Sequence, residues 1–83
     1  MKAIIEFSVS QANKACNVIS YTHSIKDRLI QTASNVWETE EYEWEDDEER
    51  DAHDELIDSV TFLLENTGVT EYDIDERATE IDN

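Results

Sequence analysis

Proline is missing altogether, and glycine occurs once, at Gly68. With a single glycine the chain cannot build a glycine-rich phosphate-binding loop, and no Gly/Ser linker divides it. Residues 1–83 therefore read as one small domain, ending in a polar tail over residues 76–83. Cys16 is the sole cysteine, which rules out an internal disulfide and leaves no cysteine-based zinc site. One unpaired cysteine fits a reducing cytoplasm, the compartment expected. No stretch approaches the roughly 20 apolar residues of a membrane span, and Glu6 interrupts the first apolar run too early for a signal-peptide core. Positive charge is also scarce, with six Lys and Arg against 22 Asp and Glu, a net charge of −16. Such a chain is repelled by nucleic acid and by an anionic membrane surface, so direct contact with either is not expected.

What the chain has in excess is acid, and the acid is placed. Residues 1–36 carry a net +2, residues 37–83 a net −18. Thirteen of the twenty-one residues from Glu38 to Asp58 are Asp or Glu, with an unbroken run from Glu45 through Asp46, Asp47 and Glu48 to Glu49. Concentrated like charge weakens a compact state, so it calls for a partner or a solubility role. Spread-out acidity of the kind that adapts proteins to high salt would not spare the first 36 residues. Trp37, Tyr42 and Trp44 are interleaved with the carboxylates; bulky rings of this kind belong in a core or an interface rather than in a disordered segment.

Hydrophobic periodicity sets the expected elements. Lys2 to Val9 alternates, with Ala3, Ile5, Phe7 and Val9 on one face of a strand. Ser10 is placed to cap a long helix over residues 11–33, in which Ala12, Ala15, Ile19, Thr22, Leu29 and Ala33 recur at helical spacing. Thr32, Ser34 and Asn35 form a polar stop. Residues 36–45 alternate, which suggests a strand or a hairpin folded near Glu40–Glu41, although a helix running on into the next one is the competing reading. From about Asp47 to Asn66 a second helix has Ala52, Leu56, Ile57, Val60, Leu63 and Leu64 on one face, and Gly68 stands where a left-handed residue would end it. Val69 to Asp75 is the last expected strand, with Tyr72 and Ile74 on one face. The result is an α+β domain, a small antiparallel sheet with two helices packed on one face. It takes the ferredoxin-like order if residues 36–45 fold as a hairpin.

Few constellations offer chemistry. Cys16 and His23 are seven residues apart on one helix, too far for a thiol and imidazole to share a proton, and no third group orients the base. A calcium-binding loop needs a glycine at its sixth position, which neither Glu45–Asp58 nor Asp73–Asp82 supplies. His53, four residues after Glu49, reads as a surface or boundary side chain. No cofactor, no metal and no enzymatic activity are expected.

The carboxylates themselves remain. On a strand, Glu41, Glu43 and Glu45 would recur about every 6–7 Å; on a helix, Asp47, Asp51, Asp54, Glu55 and Asp58 recur about every 5–6 Å. Both spacings are close to that of backbone phosphates, and a groove that binds nucleic acid mainly by charge neutralisation distinguishes the two poorly. A small acidic domain with this charge placement and no catalytic motif resembles the phage-encoded inhibitors of host DNA-binding proteins: anti-restriction proteins, anti-CRISPR proteins and inhibitors of uracil-DNA glycosylase. The resemblance implies a basic nucleic-acid-binding partner such as a nuclease, a CRISPR effector, a restriction enzyme or a repair enzyme. The expected contact residues are Glu40, Glu41, Glu43, Glu45, Asp46, Asp47, Glu48, Glu49, Asp51, Asp54 and Asp58, with Tyr42 and Trp44 as apolar anchors. The alternative is a protein-protein interaction module, such as an antirepressor, an antitoxin-like neutraliser or an adaptor, that binds through an apolar face and keeps its acid for solubility. A homodimer would add buried area to so small a core.

Overall fold

In the computed structural model, which describes residues 1–77, the chain runs β1 (Lys2–Phe7), α1 (Ala12–Ser20), α2 (His23–Lys26), β2 (Leu29–Ala33), β3 (Val36–Thr39), α3 (Asp47–Thr67) and β4 (Tyr72–Arg77). The four strands form one sheet in the order β2-β3-β1-β4, and each neighbouring pair is antiparallel. Counting α1 and α2 as one interrupted connection, this is a split β-α-β order, reached through a hairpin other than the one expected within residues 36–45. The fold is α+β, with three helical segments rather than two.

Inward-facing residues of the sheet (Ile5, Phe7, Leu29 and Trp37) close against Ala15 and Ile19 of α1, Ile25 of α2, and Leu56, Val60 and Leu64 of α3. The three helical segments thus cover one face, and among the described residues the other is open, as an antiparallel sheet allows. In β1 the alternation holds from Ala3 to Phe7, but the strand ends there and Val9 is exposed rather than buried.

The long helix expected over residues 11–33 is not formed. It stops at Ser20, and Thr22, at φ −110° and ψ 87°, breaks the backbone before the single turn of α2. The residues Ser20, Tyr21, Thr22, His23 and Ser24 all have mediocre helix propensity. Leu29 to Ala33 is then extended, with Leu29 inward and Ile30 outward, because it pairs with β3. Ser10 is not the cap either: Gln11 holds the N-cap position without a side-chain bond, and Ser8 and Ser10 bond each other instead. Gln11 reaches across to the segment before β4, where its Oε1 accepts from the amides of Thr70 and Glu71 at 2.9 and 2.8 Å.

Residues 36–45 do not fold as a hairpin turning at Glu40–Glu41, because only Val36–Thr39 is extended and the segment after it is irregular; the hairpin of this sheet uses residues expected at the end of the first helix. It joins β2 to β3 through Ser34 and Asn35, and Asn35 ties the turn to β1 by accepting from the Phe7 amide and donating its own side-chain amide to the Phe7 carbonyl. The last strand lies two to three residues later than expected, so Glu76 and Arg77 belong to β4 and not to a tail. The remainder of that tail lies outside the described residues.

The second helix forms over the expected span, but Ala52, expected on its apolar face, is exposed and His53 turns inward instead. Asp46 caps it, its Oδ1 accepting from the amides of Glu48 and Glu49 at 3.0 and 3.2 Å. Gly68 ends it at φ 81°, a left-handed conformation that costs glycine little. The Gly68 amide donates to the Glu65 carbonyl and the Val69 amide to the Leu64 carbonyl, and Leu64 and Val69 meet in the core. These are the two bonds and the apolar contact of a Schellman cap.

Candidate functional site

The acidic block divides into a connecting segment, residues 40–46, and the exposed face of α3. Glu41, Glu43 and Glu45 do not repeat along a strand, because β3 ends at Thr39; the segment is irregular, with a turn at Trp44–Glu45. Glu40, Glu41, Glu43 and Glu45 are nevertheless all exposed. What holds this segment is Tyr42. Its amide donates to the Met1 carbonyl at 2.8 Å, and its carbonyl accepts from the amino terminus at 2.6 Å. The Tyr42 ring stacks on His53 with centroids 3.9 Å apart.

Tyr42 is therefore a buried post and not an anchor offered to a partner. Glu76, from β4, completes the post: Oε2 accepts from the Tyr42 hydroxyl at 2.9 Å, and Oε1 lies 2.9 Å from His53 Nε2. Burial first, then the bond to Glu76 and its charge, push the phenol up to about 12. His53 is 3% exposed, which corrects its reading as a surface or boundary residue. The helical wheel contained the signal, since His53 falls three, seven and eleven residues before Leu56, Val60 and Leu64 on the apolar face.

The two tryptophans part company. Trp37 points into the core at 5% exposure, with no acceptor for its indole N–H among the described residues. Trp44 is 51% exposed and lies under the Arg50 guanidinium, 5.4 Å from the ring centroid, while the Trp44 carbonyl accepts from Arg50 Nη1. Arg50 also pairs with Asp47 at 2.7 Å. Asp46 is occupied as the helix cap, and Glu48 and Glu49 sit in the first turn, where the positive end of the helix dipole offsets part of their mutual repulsion.

Asp51, Asp54 and Asp58 are exposed on α3 as the spacing required, and so is Glu55. From Glu48 to Asp58 the helix rises about 15 Å and presents Glu48, Asp51, Asp54, Glu55 and Asp58, about one carboxylate per 3 Å. A single strand of duplex DNA carries one phosphate per about 3.4 Å of axis. Of the thirteen acidic residues between Glu38 and Asp58, only Glu38 and Asp47 have an ion-pair partner among the described residues. Arg28 lines a recess of about 160 Å³ with Glu40, Glu41 and Glu49, but its recorded bond goes to the Ala52 carbonyl.

Phe62 was missed. At 69% exposure it lies four residues beyond Asp58 and three before Glu65, opposite the buried line of Leu56, Val60 and Leu64. The same wheel that placed Val60 and Leu64 inward leaves Phe62 outside. No helix among the described residues is long and apolar enough to cross a membrane, and no three His, Cys, Asp or Glu side chains among them group so as to hold a metal. No family model, curated protein or solved structure matches the chain.

Proposed function

We propose that this protein is an inhibitor that occupies the basic groove of a nucleic-acid-binding protein by mimicking a phosphate backbone. A host-defence nuclease of the anti-CRISPR or anti-restriction target type, or a repair enzyme, acting in the cytoplasm, is the kind of partner meant. The observation that carries this reading is the row of unpaired carboxylates on α3, at a density close to one nucleic-acid strand and fixed on a helix capped at both ends. Rigidity matters here: a disordered acidic segment would lose ordering entropy on binding, whereas a preformed helix has already been ordered by folding. Residues 40–46 extend the field beyond the helix N-terminus.

Association should be fast and salt-sensitive, because an extended row of one sign steers a partner of the other. The test uses a neutralised variant with Glu48→Gln, Asp51→Asn, Asp54→Asn, Glu55→Gln and Asp58→Asn, which keeps the shape of the surface. Wild type and variant are immobilised, basic proteins from a host lysate are captured, and elution is compared in a salt gradient and with added duplex or single-stranded DNA. Release of a nucleic-acid-binding protein by DNA from the wild type, and its absence on the variant, would support mimicry. A partner held equally by both proteins through high salt would transfer the function to an apolar contact, the interaction-module reading, and leave the acid as a solubility feature.

A further inference from the structure

Among the described residues nothing covers the sheet face turned away from the helices, and the strand register sorts its residues into rows. Lys2 and Arg77, opposite each other on β1 and β4, make a cationic row at one end. In the next row Ile4 lies between Asp75 and Glu38, with Ile30 beyond Glu38 on β2. Glu6, between Asp73 and Val36, makes an anionic row at the other end. A shallow depression of about 440 Å³ runs between Ile4, Val36 and Asp73. Lys2 and Arg77 against Glu6, Glu38, Asp73 and Asp75 leave this face at −2, where the chain as a whole carries −16.

We infer that this face binds a second copy of the chain, forming a two-fold dimer whose axis runs along the Ile4 row. In an isologous contact each residue meets the residue at the mirrored position of the other copy. The cationic row of one copy then faces the anionic row of the other: Lys2 opposite Glu6, and Arg77 opposite Asp73. Ile4 and Ile30, the latter 58% exposed, each meet their own counterparts. Glu38 and Asp75 also approach their counterparts, but each already holds a cation, Lys2 at 2.7 Å and Arg77 at 2.8 Å. The hydrogen bond that Lys2 donates holds the Glu38 carboxyl below its ordinary range, and the bond that Arg77 donates to Asp75 raises the guanidinium.

The paired rows favour this occupant, and the size of the face sets its strength. Four strands about 4.8 Å apart and four to six residues long give a face of about 340 Å² in projection per copy. Two such faces make a contact of about 700 Å² in projection, at the weak end of specific interfaces, so a dissociation constant no tighter than the order of micromolar is expected. Because α3 lies on the opposite side of the sheet, the dimer carries its two acidic helices outward and apart, where their repulsion is smallest. The inference rests on the sheet register and is independent of nucleic-acid mimicry.

Sedimentation equilibrium of the purified full chain tests it, over about 1 µM to 1 mM protein at about 0.15 M salt. Twice the chain mass is expected at the upper concentrations. Ile30→Lys and Glu6→Lys alter exposed side chains, and each should raise the dissociation constant at least about tenfold. Lys2→Glu should do the same alone, and an equimolar mixture of the Glu6→Lys and Lys2→Glu proteins should recover association, since positions 2 and 6 of the two copies then face each other with opposite sign. A monomer at all concentrations overturns the proposal. So does a dimer that Ile30→Lys or Glu6→Lys leaves unchanged, or a mixture that fails to associate.

Discussion

The two arms of the helical layer share one core and differ in almost everything else. α1 and α2 carry Lys14 and Lys26, with Asp27 just past the end of α2, have no side-chain cap at either start, and are separated by a backbone break at Thr22. α3 runs unbroken for 21 residues under a dense row of carboxylates, with an Asp cap at one end and a Schellman cap at the other. Repulsion along α3 would fray it, and the caps, the Tyr42 post and the buried line from His53 to Leu64 oppose that. Explicit terminal bonding is concentrated on the helix whose charge works against it.

The largest effects should be the same on both arms, because packing is what they have in common. Ile19→Ala on α1 and Leu64→Ala on α3 remove side chains that are fully buried. Each should cost about 2–5 kcal/mol in denaturant unfolding. A loss confined to one arm would break the premise of a shared core.

Next in size is an alkaline effect specific to the acidic arm. The Tyr42 phenol is pushed up to about 12 in the folded protein from an ordinary value of 10.0, so between these pH values the unfolded chain gives up a proton that the folded chain keeps. Stability is complete below pH 10 and falls as pH rises toward 12, by at most about 1.4 kcal/mol per unit. Tyr42→Phe should remove this component from the pH dependence of unfolding.

Charge itself should act in the opposite direction. Like pairs three and four apart, such as Asp51 with Asp54 and Glu55, and Asp54 with Asp58, each destabilise a helix by about 0.2–0.5 kcal/mol. The five-residue neutralised variant should therefore unfold later than wild type, by about 1 kcal/mol at low ionic strength, with the gain shrinking in added salt. More stable protein with less binding would separate function from folding; no gain in stability would show that the caps already absorb the repulsion.

The smallest effects are those of the caps. Asp46→Ala should cost about 1 kcal/mol, and Asp46→Asn much less, because asparagine caps as well. Gly68→Ala places a side chain at φ 81° with its Cβ 3.0 Å from Lys14 Nζ, a flexible tip that can move aside, so the backbone dominates at about 1 kcal/mol. Both losses should be read by thermal unfolding at fixed pH.

By itself the sequence determined the elements whose signals are local and mutually reinforcing. β1 alternates over Ala3, Ile5 and Phe7, and α3 combines an apolar stripe, an acidic first turn and a C-terminal glycine. The uneven charge and the exposure of the carboxylates on α3 were also legible, since a helix fixes by geometry which residues face away from its apolar stripe. Tertiary structure decided the rest. Leu29 to Ala33 fits a helical stripe as well as a strand, and it extends because β3 offers backbone partners that an isolated segment lacks. Tyr42 and Trp44 share a parity and a composition, yet one is buried and the other exposed. The difference comes from His53, Glu76 and the amino terminus, far apart in the chain and brought to Tyr42 only by the folded sheet. A hydrogen bond across 34 or 41 residues leaves no trace in a local pattern, and such bonds settled which of the acidic segment's rings belongs to the core.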